Sequence, residues 1–249
     1  MASFFPMFNA LIRKLDCSGF LTEVDRVTLQ KVTSRRREVA PKRDLILEGD
    51  RPEYVQVVLS GFACRYKLLR GGQRHIMALL VPGDFCDLHV AILGQMDHAI
   101  ATLTTCTTVE VSRSTIEDLT DNHPRITRAL WWATLIDEGI LREWLANMGQ
   151  RPADRQIAHL FCELHVRLLS VGLAGPSGFS MPLRQVDLAD MLGLTPVHVN
   201  RSLQELRAAG LLTLQRRWLE VLDVDRLRTF CDFKTNYLHL TPRVDGLKT

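Results

Sequence analysis

The stretch Gln185–Leu212, QVDLADMLGLTPVHVNRSLQELRAAGLL, decides how the chain is read. Val186, Leu188, Ala189 and Leu192 recur at helical spacing, and Ala189 is small enough to let a second helix cross close against it. Gly193 ends the first helix, because the residue just past a helix end often takes a positive φ that costs glycine nothing. Thr195 and Pro196 start the next one: a threonine hydroxyl caps an orphan amide, and proline is pre-set for the first helical position. Val199, Leu203 and Leu206 give that helix a buried face, and Val197, His198, Asn200, Arg201 and Gln204 lie on the other. The pattern predicts a helix-turn-helix whose second helix reads DNA.

The residues that follow extend this reading. Leu211–Leu214 and Trp218–Leu222 are short strand-like runs, with Gln215-Arg216-Arg217 as a polar tip between them, which is the pattern of a winged helix. Arginines at such a tip suit phosphates, because the guanidinium forms a planar bidentate fork. Asp223 is placed to cap a last helix running through Arg226, Leu227, Phe230 and Phe233 toward Tyr237.

Composition permits this function without demanding it. A chain of 249 residues with 46% hydrophobic residues favours two domains, and its net charge is only +3. From Ala153 onward there are 12 basic residues against 10 acidic ones, so placement matters more than balance. Arg184, Arg201, Arg207, Arg216 and Arg217 fall in the DNA-facing segment, whereas Asp223, Asp225, Asp232 and Asp245 fall beyond it. The N-terminus MASFFPMFNALIRKL lacks the basic start, apolar centre and cleavage site of a signal peptide, and no apolar run approaches the ~18 residues of a membrane span. A cytoplasmic protein is expected. Cysteines 17, 64, 86, 106, 162 and 231 are scattered with no Cys-x-x-Cys pair, which argues against a zinc ribbon or a disulfide framework. No Gly-x-Ser-x-Gly, P-loop or His-Glu-x-x-His motif supports an enzyme.

Residues 1 to about 123 have a different texture. Phe5, Phe8, Leu11, Ile12 and Leu15 predict a short amphipathic helix, and Thr22–Thr33 a second. Strand-like runs follow at Asp44–Glu48, Tyr54–Ser60, Phe62–Leu69, Arg74–Val81, Ala101–Thr105 and Thr107–Ser112. Turns at Gly49-Asp50, Ser60-Gly61, Gly71-Gly72 and Pro82-Gly83-Asp84 separate them, so a β-sandwich or roll is favoured over a parallel sheet.

Three stretches here, LILEGDRPEYVQVVLSG (Leu45–Gly61), the hairpin GGQRHI and PGDF (Pro82–Phe85), resemble the Crp/Fnr family of bacterial transcription regulators. With the helix-turn-helix and wing, the ordered set spans about residues 20 to 222. The resemblance implies an α+β chain: a double-stranded β-helix or jelly-roll sensor domain of cyclic-nucleotide-binding type (1–123), a long dimerisation helix (124–150) and a C-terminal winged helix-turn-helix domain (151–249). It also implies a homodimer on a near-palindromic promoter site, RNA polymerase as a further partner, and a signal received at the roll. Arg201 matches the family arginine that contacts guanine, and Val197 stands where glutamate is common, which directs it to a thymine methyl instead. His198, Asn200 and Gln204 are candidates for added contacts, Thr195 for the helix start, and Arg184, Arg216 and Arg217 for the phosphates. The alternative is a ligand-binding regulatory or protein-interaction module without specific DNA binding.

Pro124–Gly149 independently reads as one helix with two apolar sides. Ile126, Leu130, Ala133, Ile140, Trp144 and Met148 mark a stripe near heptad spacing and are expected to form the dimer seam; Trp132, Ile136, Leu141 and Leu145 form a second set. Gln150-Arg151-Pro152 marks the hinge to the DNA domain.

The cyclic AMP clamp of the best-known members is not matched. Its ribose-binding glutamate falls at Leu88 with Asp87 adjacent, and its phosphate-binding arginine and small hydroxyl residue fall at His98 and Ala99. An imidazole does not replace a guanidinium fork, so no tight cyclic-nucleotide binding is expected. Only Cys17 lies near the N-terminus, so the iron-sulfur cluster of the oxygen-sensing members lacks ligands and no cofactor is expected. Asp87, His89, Asp97 and His98 are the candidate effector-binding set, with a metal or a proton as alternative signals, against a plain capping role for Asp97 and His98.

Overall fold

A computed structural model describes residues 8–240; Phe5 and Asp245 lie outside the described residues. The chain begins with α1 (Ala10–Asp16), capped by the Asn9 side chain, and α2 (Glu23–Val32), whose Thr22 and Asp25 form a reciprocal capping box. Two antiparallel sheets follow. One has the order β1 (Arg36–Val39), β7 (Cys106–Ser112), β3 (Tyr54–Ser60); the other has the order β2 (Asp44–Ile46), β6 (Ala99–Thr102), β4 (Ala63–Leu68), β5 (Arg74–Leu80). Their inward residues, among them Val57, Ile100 and Val109, are fully buried and form the roll core with Leu11, Ile12 and Leu15 of α1. The turn between β3 and β4 needs glycine: Gly61 has φ +80, and a Cβ there would lie 2.2 Å from the Thr105 carbonyl oxygen.

Three elements differ from expectation. β1 carries no apolar run, since only Val39 of its four residues is buried. β6 starts two residues earlier than expected, at Ala99, and ends at Thr102, because Thr104 is used in the turn, where its hydroxyl accepts from the Phe62 amide. Asp121 and Asn122, which precede the expected helix start at Pro124, end a further helix, α4 (Arg113–Asn122), capped by Ser112. A one-turn helix, α3 (Val90–Leu93), interrupts the roll before β6.

The long helix α5 (Pro124–Gln150) spans 27 residues, about 40 Å at 1.5 Å per residue. Ile126, Leu130 and Ala133 are buried in the roll core, while Ile140 and Trp144 are buried in a second core shared with the C-terminal half. This corrects the expected seam: those five side chains are at most 6% exposed within a single chain, and Met148 is half-buried, so they pack inside the subunit. The side left uncovered carries Trp131, Leu135, Leu141 and Leu145, each more than half exposed. Of the second set, Trp132 and Ile136 also turn inward.

The break after α5 falls at Arg151-Pro152, where Gln156 Nε2 donates to the Arg151 carbonyl and Asn147 Nδ2 to that of Gln156. Then come α6 (Ala153–Ser170), β8 (Gly178–Ser180), α7 (Gln185–Leu192), α8 (Pro196–Ala208), β9 (Leu212–Gln215), β10 (Trp218–Val221) and α9 (Val224–Cys231). α6 is buried along nearly its whole length, because its core also takes in Cys64, Ile76 and Leu79 from the β4–β5 sheet. The winged region is therefore docked on the roll. Arg74 on β5 fixes this contact, donating to Asp187 and Asp190 of α7 at 2.9 Å each.

The final helix ends at Cys231, earlier than expected, and residues 232–240 continue as a strap. Phe233 packs edge-on against His159 at 5.0 Å between ring centroids, Leu238 is fully buried, and the Tyr237 hydroxyl donates to Glu163 at 2.9 Å. The strap passes so near α5 that a Cβ on Gly139 would lie 3.1 Å from the Tyr237 carbonyl oxygen.

Burial beneath the strap, reinforced by the charge of Arg151, holds the His159 imidazole down at about 4, against the opposing pull of Glu143. The folded state thus favours the neutral ring. That contribution is complete above the ordinary imidazole value near 6.5 and is lost as pH falls from about 6.5 toward 4, where the unfolded chain takes up the proton first. Urea denaturation at stepped pH is expected to show a shallower stability loss over this window in His159→Phe than in the parent; equal slopes would refute the assignment.

Candidate nucleic-acid interface and effector cavity

The segment α7–turn–α8 is built as its local signals require. Leu188, Ala189, Met191 and Leu192 bury the inner face of α7, Gly193 takes φ +65, and the Thr195 hydroxyl accepts from the His198 amide to start α8. Val186 departs from expectation, being 39% exposed. On α8, Val199, Leu203 and Leu206 are buried, which turns Val197, His198, Asn200, Arg201 and Gln204 to solvent.

Arg201 is the principal feature of that face. Its side chain is 67% exposed, and Glu205, one turn on, approaches its Nε only to 3.7 Å. Sequence reasoning missed Gln185, whose side chain joins the face: Asn200 Nδ2 donates to Gln185 Oε1 at 3.3 Å, and Gln204 Nε2 donates to Asn200 Oδ1 at 3.0 Å. This row of amides stiffens three long side chains before any ligand arrives. Arg184 is half-exposed, yet two of its donors hold Asp187 at 2.9 Å each. Burial pushes the Asp187 carboxyl up, but Arg184 and Arg74 more than offset this and hold it below the usual carboxylate range.

The wing is a three-stranded sheet in the order β8-β10-β9. β8 was not visible in the sequence; its Gly178 is required because a Cβ would meet the Leu219 carbonyl oxygen at 2.6 Å. Gln215 pairs with Trp218, leaving Arg216 and Arg217 as a two-residue turn with φ +50 and +64. Both positions of such a turn favour asparagine and glycine, and an ordinary side chain there is strained. Both arginines are exposed.

The expected effector set assembles only in part. His98 is buried with its Nδ1 2.6 Å from Asp97 Oδ1, and the His89 ring lies 6.1 Å away. Asp87 is fully buried 2.7 Å from His89 Nε2, but out of line for a hydrogen bond, and neither of its oxygens has a hydrogen-bond partner. His89, Asp97 and His98 line a cavity of about 360 Å³ between the roll and α5, whereas Asp87 lies behind its wall. Leu88, at the ribose-binding position, also lines it, and Ala99 is buried in the β4–β5 core, so the residues present do not fit a cyclic nucleotide. Among the described residues no three His, Cys, Asp or Glu side chains come together as a metal-holding group, and no helix is long and apolar enough to cross a membrane.

A β-roll joined through a long helix to a winged helix-turn-helix with an exposed arginine-bearing face defines a DNA-binding transcription regulator. Residues 36–123 match the cyclic nucleotide-binding domain, and residues 155–230 the Crp-like helix-turn-helix domain. The chain is 28% identical over 192 residues to the transcriptional activator protein FnrL of Cereibacter sphaeroides, covering 74% of this chain and 75% of FnrL. It is 25% identical over 170 residues to the nitrogen fixation regulation protein FixK of Bradyrhizobium diazoefficiens, covering 68% and 70%. The structure of FixK2 from Bradyrhizobium japonicum superposes with a TM-score of 0.70 at 26% identity, over 78% of this chain and 96% of that one. The chain belongs to the Crp/Fnr family of transcription regulators.

The turn at the wing tip yields a direct test. Replacing Arg216 by Asn and Arg217 by Gly supplies the residues this turn favours and is expected to raise stability by about 1–2 kcal/mol in guanidinium unfolding. A double variant no more stable than the parent would show that the backbone carries no strain there.

Proposed function

We propose that the chain works as a homodimer whose two α8 helices read a near-palindromic promoter site in successive major grooves, under control of a signal bound in the roll. The observation that carries this is the uncovered side of α5. Trp131, Leu135, Glu138, Arg142, Leu145 and Gly149 recur at alternating steps of four and three, the spacing of a coiled-coil seam, on the side opposite the buried stripe. Trp131, Leu135 and Leu145, left exposed at this spacing on a long helix, suit burial against a second copy of the same helix. The Glu138–Arg142 ion pair, 2.7 Å long, falls mid-seam, where polar residues set register.

At each half-site Arg201 would donate two hydrogen bonds to a guanine, contributing roughly 1–3 kcal/mol of discrimination. Val197, 76% exposed, offers methyls to a thymine, while His198, Asn200 and Gln204 add polar contacts and Thr195 supports the helix start. Arg184, Arg216 and Arg217 meet phosphates, which fix register without reading sequence. From such a site the protein acts on RNA polymerase. The cavity beside His98 is the effector site in this reading, and cyclic nucleotides are not its ligand.

Two measurements test these roles. Arg201→Ala is expected to abolish preference for the cognate site in competed gel shifts, whereas Arg217→Ala weakens all duplexes alike and reduces the salt slope by about 1. Light scattering after size exclusion should give twice the chain mass at micromolar concentration. Leu145→Arg should give a single chain mass and lose the palindromic site, and a monomeric parent would overturn the dimer.

A further inference from the structure

The uncovered apolar surface extends beyond α5. On the short helix α3, Ile92 is 87% exposed and Leu93 70%, although Val90 in the same turn is buried. A lone exposed apolar side chain is ordinary on a protein surface, but two neighbours this bare on one turn mark a contact face. The turn is fixed in that presentation. Gly94 closes it with φ +79, and Arg113 of α4 donates from Nη2 to the Val90 carbonyl at 2.9 Å.

The cavity between the roll and α5 locates this face. Its lining takes Leu88 and His89 from the start of α3, and Thr134, Glu138 and Leu141 from α5, an exposed row at steps of four and three. Ile92 and Leu93 lie three and four residues after His89 and so share its side of the helix. Glu138 belongs to the seam, while Thr134 and Leu141 each precede a seam residue by one position and form the flank of that seam. A cavity of about 360 Å³, one small molecule wide, therefore separates the start of α3 from the flank. With both α8 helices on one duplex the paired α5 helices run parallel, and in a parallel pair this flank faces the partner.

We infer that Ile92 and Leu93 form a second patch of the subunit interface, buried against the partner copy beside the α5 seam. This rests on the homodimer reading. A second copy is the occupant because the patch is continuous with that seam across the cavity rim, where Leu141 is 54% exposed.

Sedimentation equilibrium on the full chain and three variants tests it. Ile92→Asp is expected to raise the dimer dissociation constant at least about tenfold, since each dimer loses the patch twice, while Ile92→Leu stays within about threefold of the parent. Val24→Asp, at a comparably bare site on α2 that does not line the cavity, should leave the constant unchanged. An Ile92→Asp effect below tenfold, or one matched by Val24→Asp, overturns the inference and leaves the α5 seam standing; the patch would then serve some other molecule. A parent that stays a single chain overturns seam and patch together. Circular dichroism checks that Ile92→Asp is folded. Should it unfold, hydrogen exchange decides: the amides of Ile92, Leu93 and Gly94 are expected to exchange more slowly in the parent dimer than in the Leu145→Arg single chain, and equal exchange overturns the inference.

Discussion

Arg167 is buried at the junction of roll, long helix and winged region, and the relative placement of all three depends on how its charge is met. Its guanidinium reaches Asp84 in the turn after β5, Glu163 one turn earlier on α6, and the Leu79 carbonyl oxygen. Trp144 of α5 and Tyr237 of the strap donate to the same Glu163 carboxylate, and Lys14 of α1 donates to Asp84. Five separate segments therefore end on one cluster. Burial pushes the Glu163 carboxyl up, while at Asp84 the charges of Lys14 and Arg167 overcome the same burial and hold it down. Removing one partner of such a cluster strands a charge in the interior, at a cost of about 3–5 kcal/mol, which is why the geometry tolerates little variation.

This junction gives the reading face a fixed base. α6 carries the cluster on one side and the core of α7 and α8 on the other, so the direction in which Arg201 projects follows from where Arg167 is anchored. Arg74 adds a second anchor from the β5 edge onto α7. Arg167 also lines the cavity between the roll and α5, so the first of these anchors forms part of the cavity wall.

The legibility of this arrangement in the sequence follows the range of the interactions. The helix-turn-helix was readable because its signals are local: Gly193, Thr195 and Pro196 act within a few residues of themselves. β1 and β8 were not, since Arg36–Val39 buries one side chain and Gly178 is a strand residue only because the Leu219 carbonyl approaches it. On α5 two stripes share nearly the same spacing, and periodicity alone cannot say which faces the subunit; Ile126 and Trp144 proved internal and Trp131 and Leu145 external. The cluster was invisible for a related reason. Asp84 read as a turn residue, nothing local marked Arg167 as its partner, and they lie 83 positions apart.

The strap bears on synthesis. The Glu163 carboxylate receives its Tyr237 donor, and the core receives Leu238, only from a segment made after the wing. The roll and α5 emerge from the ribosome long before that and can assemble as they appear. The acid on α6 stays open on one side until the strap has been made, so a chain cut just after the wing has every DNA-reading residue present and its central joint unsealed.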